Sequence, residues 1–212
     1  MHSTSRILSL CFVVFLMSVG SALAGKYNPV LTPGDKSPVW KKLPGIDGKK
    51  HSLADLKKKD VVVVVFTCNS CDYAIDYEER IKAFTKKYAG SKKSRVAMVA
   101  ICVNKIKEDL LPALKARAKK KKFNFIYLYD GSQKIARQFG AIRTPEFFVL
   151  DKKRRVVYMG AMDDSTDAKK VKLKFLEEAV DATLKGSKFK VKETVAIGCT
   201  IRFKRTRRKR KK

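Results

Sequence analysis

Val61-Val62-Val63-Val64-Val65-Phe66-Thr67-Cys68-Asn69-Ser70-Cys71 (VVVVVFTCNSC) is the stretch on which the reading of this chain turns. Its first six residues, β-branched or aromatic, show neither alternation nor a helical period, the pattern of a strand buried on both faces. The two cysteines follow at once, separated by Asn69 and Ser70. Beyond them Tyr73, Ile75 (or Ala74), Ile81, Phe84 and Tyr88 recur at roughly helical spacing as far as Gly90. Cys68 and Cys71 are therefore expected where a buried strand passes into a helix. There the first-turn amides and the positive end of the helix dipole would favour a thiolate, taking the first cysteine below the free value of about 8.5. On this reading Cys68 is the nucleophile and Cys71, one turn on, the resolving thiol.

Upstream, Trp40 to Leu53 has two short apolar-bearing arms around Ile46-Asp47-Gly48, and Asp-Gly is a strong hairpin signal. Tyr27 to Pro38 reads as a loop. Downstream, Val96 to Val103 (VAMVAICV) is a second buried strand. Asp109 to Lys122 reads as a Lys-rich helix with Leu110, Leu111, Leu114 and Ala118 as its apolar stripe. Phe125 to Tyr129 is a short strand and Ser132 to Phe139 a short helix closed by Gly140. Phe147 to Leu150 and Val156 to Met159 flank the charged loop Asp151 to Arg155. Ala168 to Leu184 closes the series as an amphipathic helix with Val171, Phe175, Leu176, Ala179, Val180 and Leu184 inward. The order is a hairpin, then β-α-β-α-β-α-β-β-α. It predicts an α/β fold, a mixed central sheet flanked by helices, whose closing hairpin supplies the antiparallel part.

The first 24 residues read as a signal peptide. Met1 to Arg6 is weakly positive, Ile7 to Val19 is apolar apart from Ser9 and Ser18, and Ala22-Leu23-Ala24 is a small–x–small cleavage pattern. The expectation is an exported protein, periplasmic or secreted, cut after Ala24, with an uncleaved anchor as the rival. Residues 25–38 then form a linker, 39–186 the domain, 187–203 a C-terminal extension and 204–212 a basic disordered tail. The formal net charge is +29, and Arg6 is the only charged residue of the first 24. The tail from Lys204 to Lys212 (KRTRRKRKK) does not account for this charge alone, so the body is basic as well. Such a run repels itself and can hold polyanions by counterion release. In an exported protein the candidates are an anionic membrane surface, cell-wall polyanions or acidic proteins, and the alternative is a solubilising tail with no single partner.

Export permits disulfides. Cys102 lies mid-strand and reads as a core cysteine. Cys199, within Ala196-Ile197-Gly198-Cys199-Thr200-Ile201, falls in a possible added strand or extended arm. It could pair with Cys102, act as an extra resolving thiol, or simply be packed. His51 lies in the hairpin. A copper-chaperone reading needs CxxxC and a distant histidine, and the spacing here is CxxC. No metal, nucleotide or flavin site is visible, and there is no Gly-rich phosphate loop.

Four pieces in order carry a resemblance: WKKLPGIDGKKHSLADL (40–56), VVVVVFTCNSC (61–71), FGAIRTPEFFVLD (139–151) and VVYMGAMDD (156–164). They resemble the thioredoxin-like superfamily in its redoxin branch, the alkyl hydroperoxide reductase and thiol-specific antioxidant-like proteins. The resemblance implies a thioredoxin fold with an inserted strand–helix unit and a cis Thr144–Pro145 bond facing the CxxC. It also implies that the Thr144 backbone lies open to an extended substrate strand, with Arg143 adding positive potential near the thiolate. The chain departs from thioredoxin itself in having Thr67 in place of Trp and Asn69-Ser70 in place of Gly-Pro. It also lacks thioredoxin's buried acid before the cysteines, which leaves Asp72, Asp76 and Glu78 as candidates to assist Cys71. Peroxiredoxins resembling it place Pro-x-x-x-Thr-x-x-Cys ahead of their reactive cysteine, a spacing neither Cys68 nor Cys71 has. The function implied is thiol–disulfide exchange with protein thiols. The alternatives are a thiol peroxidase, or a polyanion-binding protein in which the CxxC is only structural.

Overall fold

The computed structural model describes residues 25–204. The expected signal peptide (1–24) and the basic tail past Lys204 lie outside the described residues.

The hairpin expected near Asp47-Gly48 is present. Strands β1 (Leu43–Pro44) and β2 (Lys50–His51) pair antiparallel. Gly48 turns between them at φ +81, a conformation suited to glycine. Strand β3 (Val61–Phe66) follows. Next come two short helices, α1 (Asp72–Asp76) and α2 (Glu78–Ala89), where the spacing predicts one. The break falls at Tyr77, whose hydroxyl bonds to Asp163 Oδ1 at 3.1 Å while the Arg80 guanidinium stacks on its ring at 3.6 Å. Tertiary anchoring here overrides helical continuity.

Strand β4 (Val96–Cys102), helix α3 (Leu111–Lys121), strand β5 (Ile126–Tyr129) and helix α4 (Lys134–Phe139) come next, followed by β6 (Arg143–Thr144), β7 (Glu146–Leu150) and β8 (Val156–Gly160). Leu110, expected inside, is exposed, because α3 begins one residue later. The last helix, α5 (Phe175–Lys185), is shorter than the periodicity predicts. The Asp164 carboxylate accepts the amides of Lys172 (2.9 Å) and Leu173 (3.0 Å) and keeps that stretch out of the helix, so Val171 is only partly buried.

Five strands form one mixed sheet in the order β5-β4-β3-β7-β8. The valine run is its centre. β3 pairs parallel with β4, Val61 opposite Val96, and antiparallel with β7, Val62 opposite Leu150. Each residue of β3 is completely buried, so the run fills both faces. Val61, Val63 and Val65 pack with Ile81, Phe84, Leu114 and Leu176, whereas Val62, Val64 and Phe66 pack with Trp40, Ile135, Phe139 and Ile201. At about 1.5–3 kcal/mol for each fully buried large aliphatic, this double-sided strand is the main apolar anchor of the fold.

Both flanking segments are packed onto this body. Residues after α5 run back as an arm along β8, with Met159 and Thr194 joined by a 3.1 Å backbone bond. Glu193 on the arm accepts the amides of Lys26 (2.8 Å), Tyr27 (2.6 Å) and Asn28 (2.9 Å). The segment read as a linker is thereby tied down. The arm ends in β9 (Cys199–Thr200), which pairs antiparallel with β6.

Candidate active site

The CNSC turn leaves the carboxyl end of β3, and Cys71 is the residue that caps α1. Its sulfur accepts the Ala74 amide at 3.4 Å. It also lies 3.0 Å from the Thr144 carbonyl, to which the thiol donates. Cys68 Sγ sits 3.6 Å from Thr144 Oγ1 and 3.7 Å from Ser70 Oγ. The two sulfurs converge on Thr144, Cys68 at its hydroxyl and Cys71 at its carbonyl. Both are buried, at 4 % and 1 % exposed, and the four described cysteines are unbridged.

The amides do not fall where the sequence places them. Asn69 and Ser70 donate their backbone N–H groups to Asp109 Oδ1 at 2.8 and 3.1 Å, and Ser70 Oγ donates to Oδ2 at 2.6 Å. Asn104 Nδ2 completes the set at 2.9 Å. The turn is therefore pinned by a fully buried carboxylate. Of the two CNSC sulfurs, Cys71 is the one that accepts a backbone amide, so helix-end stabilisation falls on the second cysteine and not on Cys68. Asp109 is the buried acid that the strand before the cysteines lacks. Of the acids proposed from sequence, Glu78 pairs with Arg117, and Asp72 and Asp76 are exposed.

The two thiols ionise as a unit. The Cys68 hydrogen bond is the chief influence lowering Cys71; burial opposes it, and the Cys199 thiol, the Thr144 hydroxyl and the Ala74 amide assist. Cys68 is pushed up, first by sharing its proton with Cys71, then by burial and by the charge of Asp109. The first proton of the pair is accordingly lost more readily than from a free cysteine.

The Thr144–Pro145 peptide is cis and faces this pair. The resemblance implies an open edge here, but β9 occupies it. Thr144 stands opposite Cys199 and Arg143 opposite Thr200. Ile201 extends the pairing through a 2.9 Å bond to the Ile142 carbonyl. Arg143 points its guanidinium at the arm, to Thr200 Oγ1 (3.0 Å) and the Gly198 carbonyl (3.3 Å), and among the described residues it bonds to no sulfur. Cys199 packs against the buried cluster that holds Cys68 and Cys71. Cys102 lies apart, fully buried at the end of β4, with its thiol donating to the Asp109 carbonyl at 3.5 Å; burial pushes it up.

Glu146, the first residue of β7, braces the same loop from behind. Its Oε2 accepts the amides of Ile142 and Arg143, each at 2.9 Å. Burial pushes its carboxyl up from 4.5 to about 6, against the pull of those amides. The native state thus holds this proton more tightly than the unfolded chain does. Stability from Glu146 is complete below pH 4.5 and falls as pH rises to 6, by about 2 kcal/mol for a shift of that size. Urea unfolding across pH 4–7 checks this: Glu146→Gln is expected to flatten the profile in that window, whereas parallel wild-type and variant profiles would refute it.

The Redoxin family model matches residues 32–174. The chain belongs to the Redoxin family. Redoxin membership makes it an oxidoreductase of thioredoxin-like fold, and the mixed sheet and leading hairpin described above are that fold. A hypothetical protein of Sinorhizobium meliloti 1021 is 32 % identical, with 84 % of this chain and 97 % of that one covered at a TM-score of 0.76. An uncharacterized conserved protein of Geobacillus kaustophilus is 29 % identical over 84 % of this chain and 96 % of that one, at a TM-score of 0.77. A putative thiol:disulfide interchange protein DsbE of Chlorobium tepidum shares the fold at 20 % identity, covering 73 % and 99 %, with a TM-score of 0.58. No curated protein matches. The Redoxin match ends before the arm that carries Cys199.

Proposed function

We propose that this Redoxin is an exported thiol–disulfide oxidoreductase that exchanges disulfides with protein partners through Cys68 and Cys71. The observation that carries this reading is the convergence of both sulfurs on Thr144 of the proline loop at the strand–helix junction. Export is supported by the character of residues 1–24.

Cys68 attacks one sulfur of a partner disulfide while its proton passes to Cys71, with which it is already shared. The Thr144 hydroxyl, 3.6 Å away, is in place to stabilise the charge on Cys68. The partner's S–S bond breaks, a Cys68–partner bond forms, and the departing partner thiolate takes the proton from Cys71. Cys71 then attacks Cys68, the Cys68–Cys71 disulfide closes, and the second partner sulfur leaves and is protonated. Two electrons reach the partner, which ends as a dithiol.

The test is reduction of insulin disulfides with dithiothreitol as the regenerating thiol. A rate well above dithiothreitol alone is expected. A rate equal to it would overturn the reading, and hydroperoxide consumption far faster than by free thiol would replace it with a peroxidase.

A further inference from the structure

The arm lies on the edge that a partner strand would need, and it brings a cysteine with it. Antiparallel pairing sets Cys199 directly opposite Thr144, and Thr144 contacts both active-site sulfurs. Gly198 permits the approach, since a Cβ there would overlap the Thr144 carbonyl oxygen. Past β9 the arm is fixed at several points. Ile201 is buried, the Arg202 amide bonds to Asn104 Oδ1 at 3.1 Å, and Gln133 Nε2 bonds to the Arg202 carbonyl at 2.9 Å. Asn104 also holds Asp109, so the arm and the CNSC turn share one hydrogen-bonded chain. Cys199 packs against the buried cluster that holds both reactive sulfurs, and Cys71 meets the same Thr144 backbone, its sulfur 3.0 Å from the Thr144 carbonyl.

We propose that Cys199 is a third exchange thiol, which takes Cys71 from the Cys68–Cys71 disulfide and closes a Cys71–Cys199 disulfide across the proline-loop edge. This rests on the exchange function proposed above, which supplies the oxidised pair. The Cys68–Cys71 bond breaks, the Cys71–Cys199 bond forms, and the Cys199 proton ends on Cys68. The number of disulfides is unchanged and no added oxidant enters. The bridge fastens β9 over the edge, so exchange with an incoming protein strand stops until the bridge reverses. The oxidised protein thereby divides between an open form, bridged 68–71, and a closed form, bridged 71–199.

Trypsin makes the two forms distinguishable. Asp60 to Arg80 is one tryptic peptide holding Cys68 and Cys71, and Glu193 to Arg202 is another holding Cys199. The protein is equilibrated with oxidised and reduced glutathione, blocked with an alkylating agent at low pH, digested without reductant and weighed. The expected result is a cross-linked 60–80/193–202 species with one alkylated cysteine, alongside 60–80 closed on itself. Cys68→Ser is expected to keep the cross-link and Cys71→Ser to lose it. Gly198→Ala, which alters no sulfur, is expected to lose the cross-link and keep the 68–71 bridge.

A fully formed 68–71 bridge with Cys199 entirely alkylated, in a protein that reduces insulin, would overturn this proposal and leave the exchange function standing. Failure of the 68–71 bridge to form at all would overturn both. A cross-link that survives Cys71→Ser but not Cys68→Ser would refute the assignment to Cys71.

Discussion

Cys68→Ser and Cys71→Ser are each expected to bring insulin reduction down to the uncatalysed rate, while only Cys71→Ser retains partner protein as a mixed disulfide. The difference follows from the geometry. Cys68 has the Thr144 hydroxyl at 3.6 Å and a neighbouring thiol to take its proton, so Cys68 makes the partner bond. Cys71, capped by Ala74 and set under the Thr144 carbonyl, is placed to break it. Without Cys71 the adduct lacks the resolving thiol that sits three residues away at the start of α1. Non-reducing gels followed by mass measurement check this. Trapping by Cys68→Ser instead would exchange the two roles, and turnover by either variant would end the two-thiol mechanism.

Asp109→Ala is expected to be the most destabilising single change near the site. It would leave the Asn69 and Ser70 amides, the Ser70 hydroxyl and the Asn104 side chain without their acceptor around a carboxylate that is itself fully buried. Unsatisfied buried polar groups cost about 1–3 kcal/mol each before relaxation, so a combined loss of about 3–5 kcal/mol is expected after partial repair. In a domain of this size that lowers the melting temperature by roughly 10 °C. Asp109→Asn keeps an acceptor for the two amides but sets its own NH₂ against that of Asn104. Asn104 cannot turn over without releasing the Arg202 amide, so about 1–2 kcal/mol is expected for this change. Thermal unfolding of both variants checks the order. An Asp109→Ala protein that melts with the wild type would show that the carboxylate does not hold the turn.

The central sheet and the cysteine pair are legible in the sequence because their signals are local. An unbroken apolar run specifies burial on both faces, and a two-residue gap specifies which sulfurs meet. Asp109 gives no such signal. It stands in a Lys-rich stretch that reads as the start of a solvated helix, and the turn it holds lies about forty positions back along the chain. The occupied edge is illegible for a related reason. β9 is two residues long and pairs across more than fifty positions, and Ala196 to Ile201 suggests an extended segment without saying where it docks. The overlong reading of the last helix has another origin, since the apolar period does run back to Val171 but the Asp164 side chain captures the amides that the helix would use.

Glu193 has a practical consequence for anyone handling this protein. One carboxylate gathers the opening backbone of the described chain and fastens it to the strip that leads into Cys199. Front and back of the domain are moored to the same bollard. Recombinant forms trimmed past Asn28 would slacken the far end of the chain, and would overstate how reactive the intact protein is.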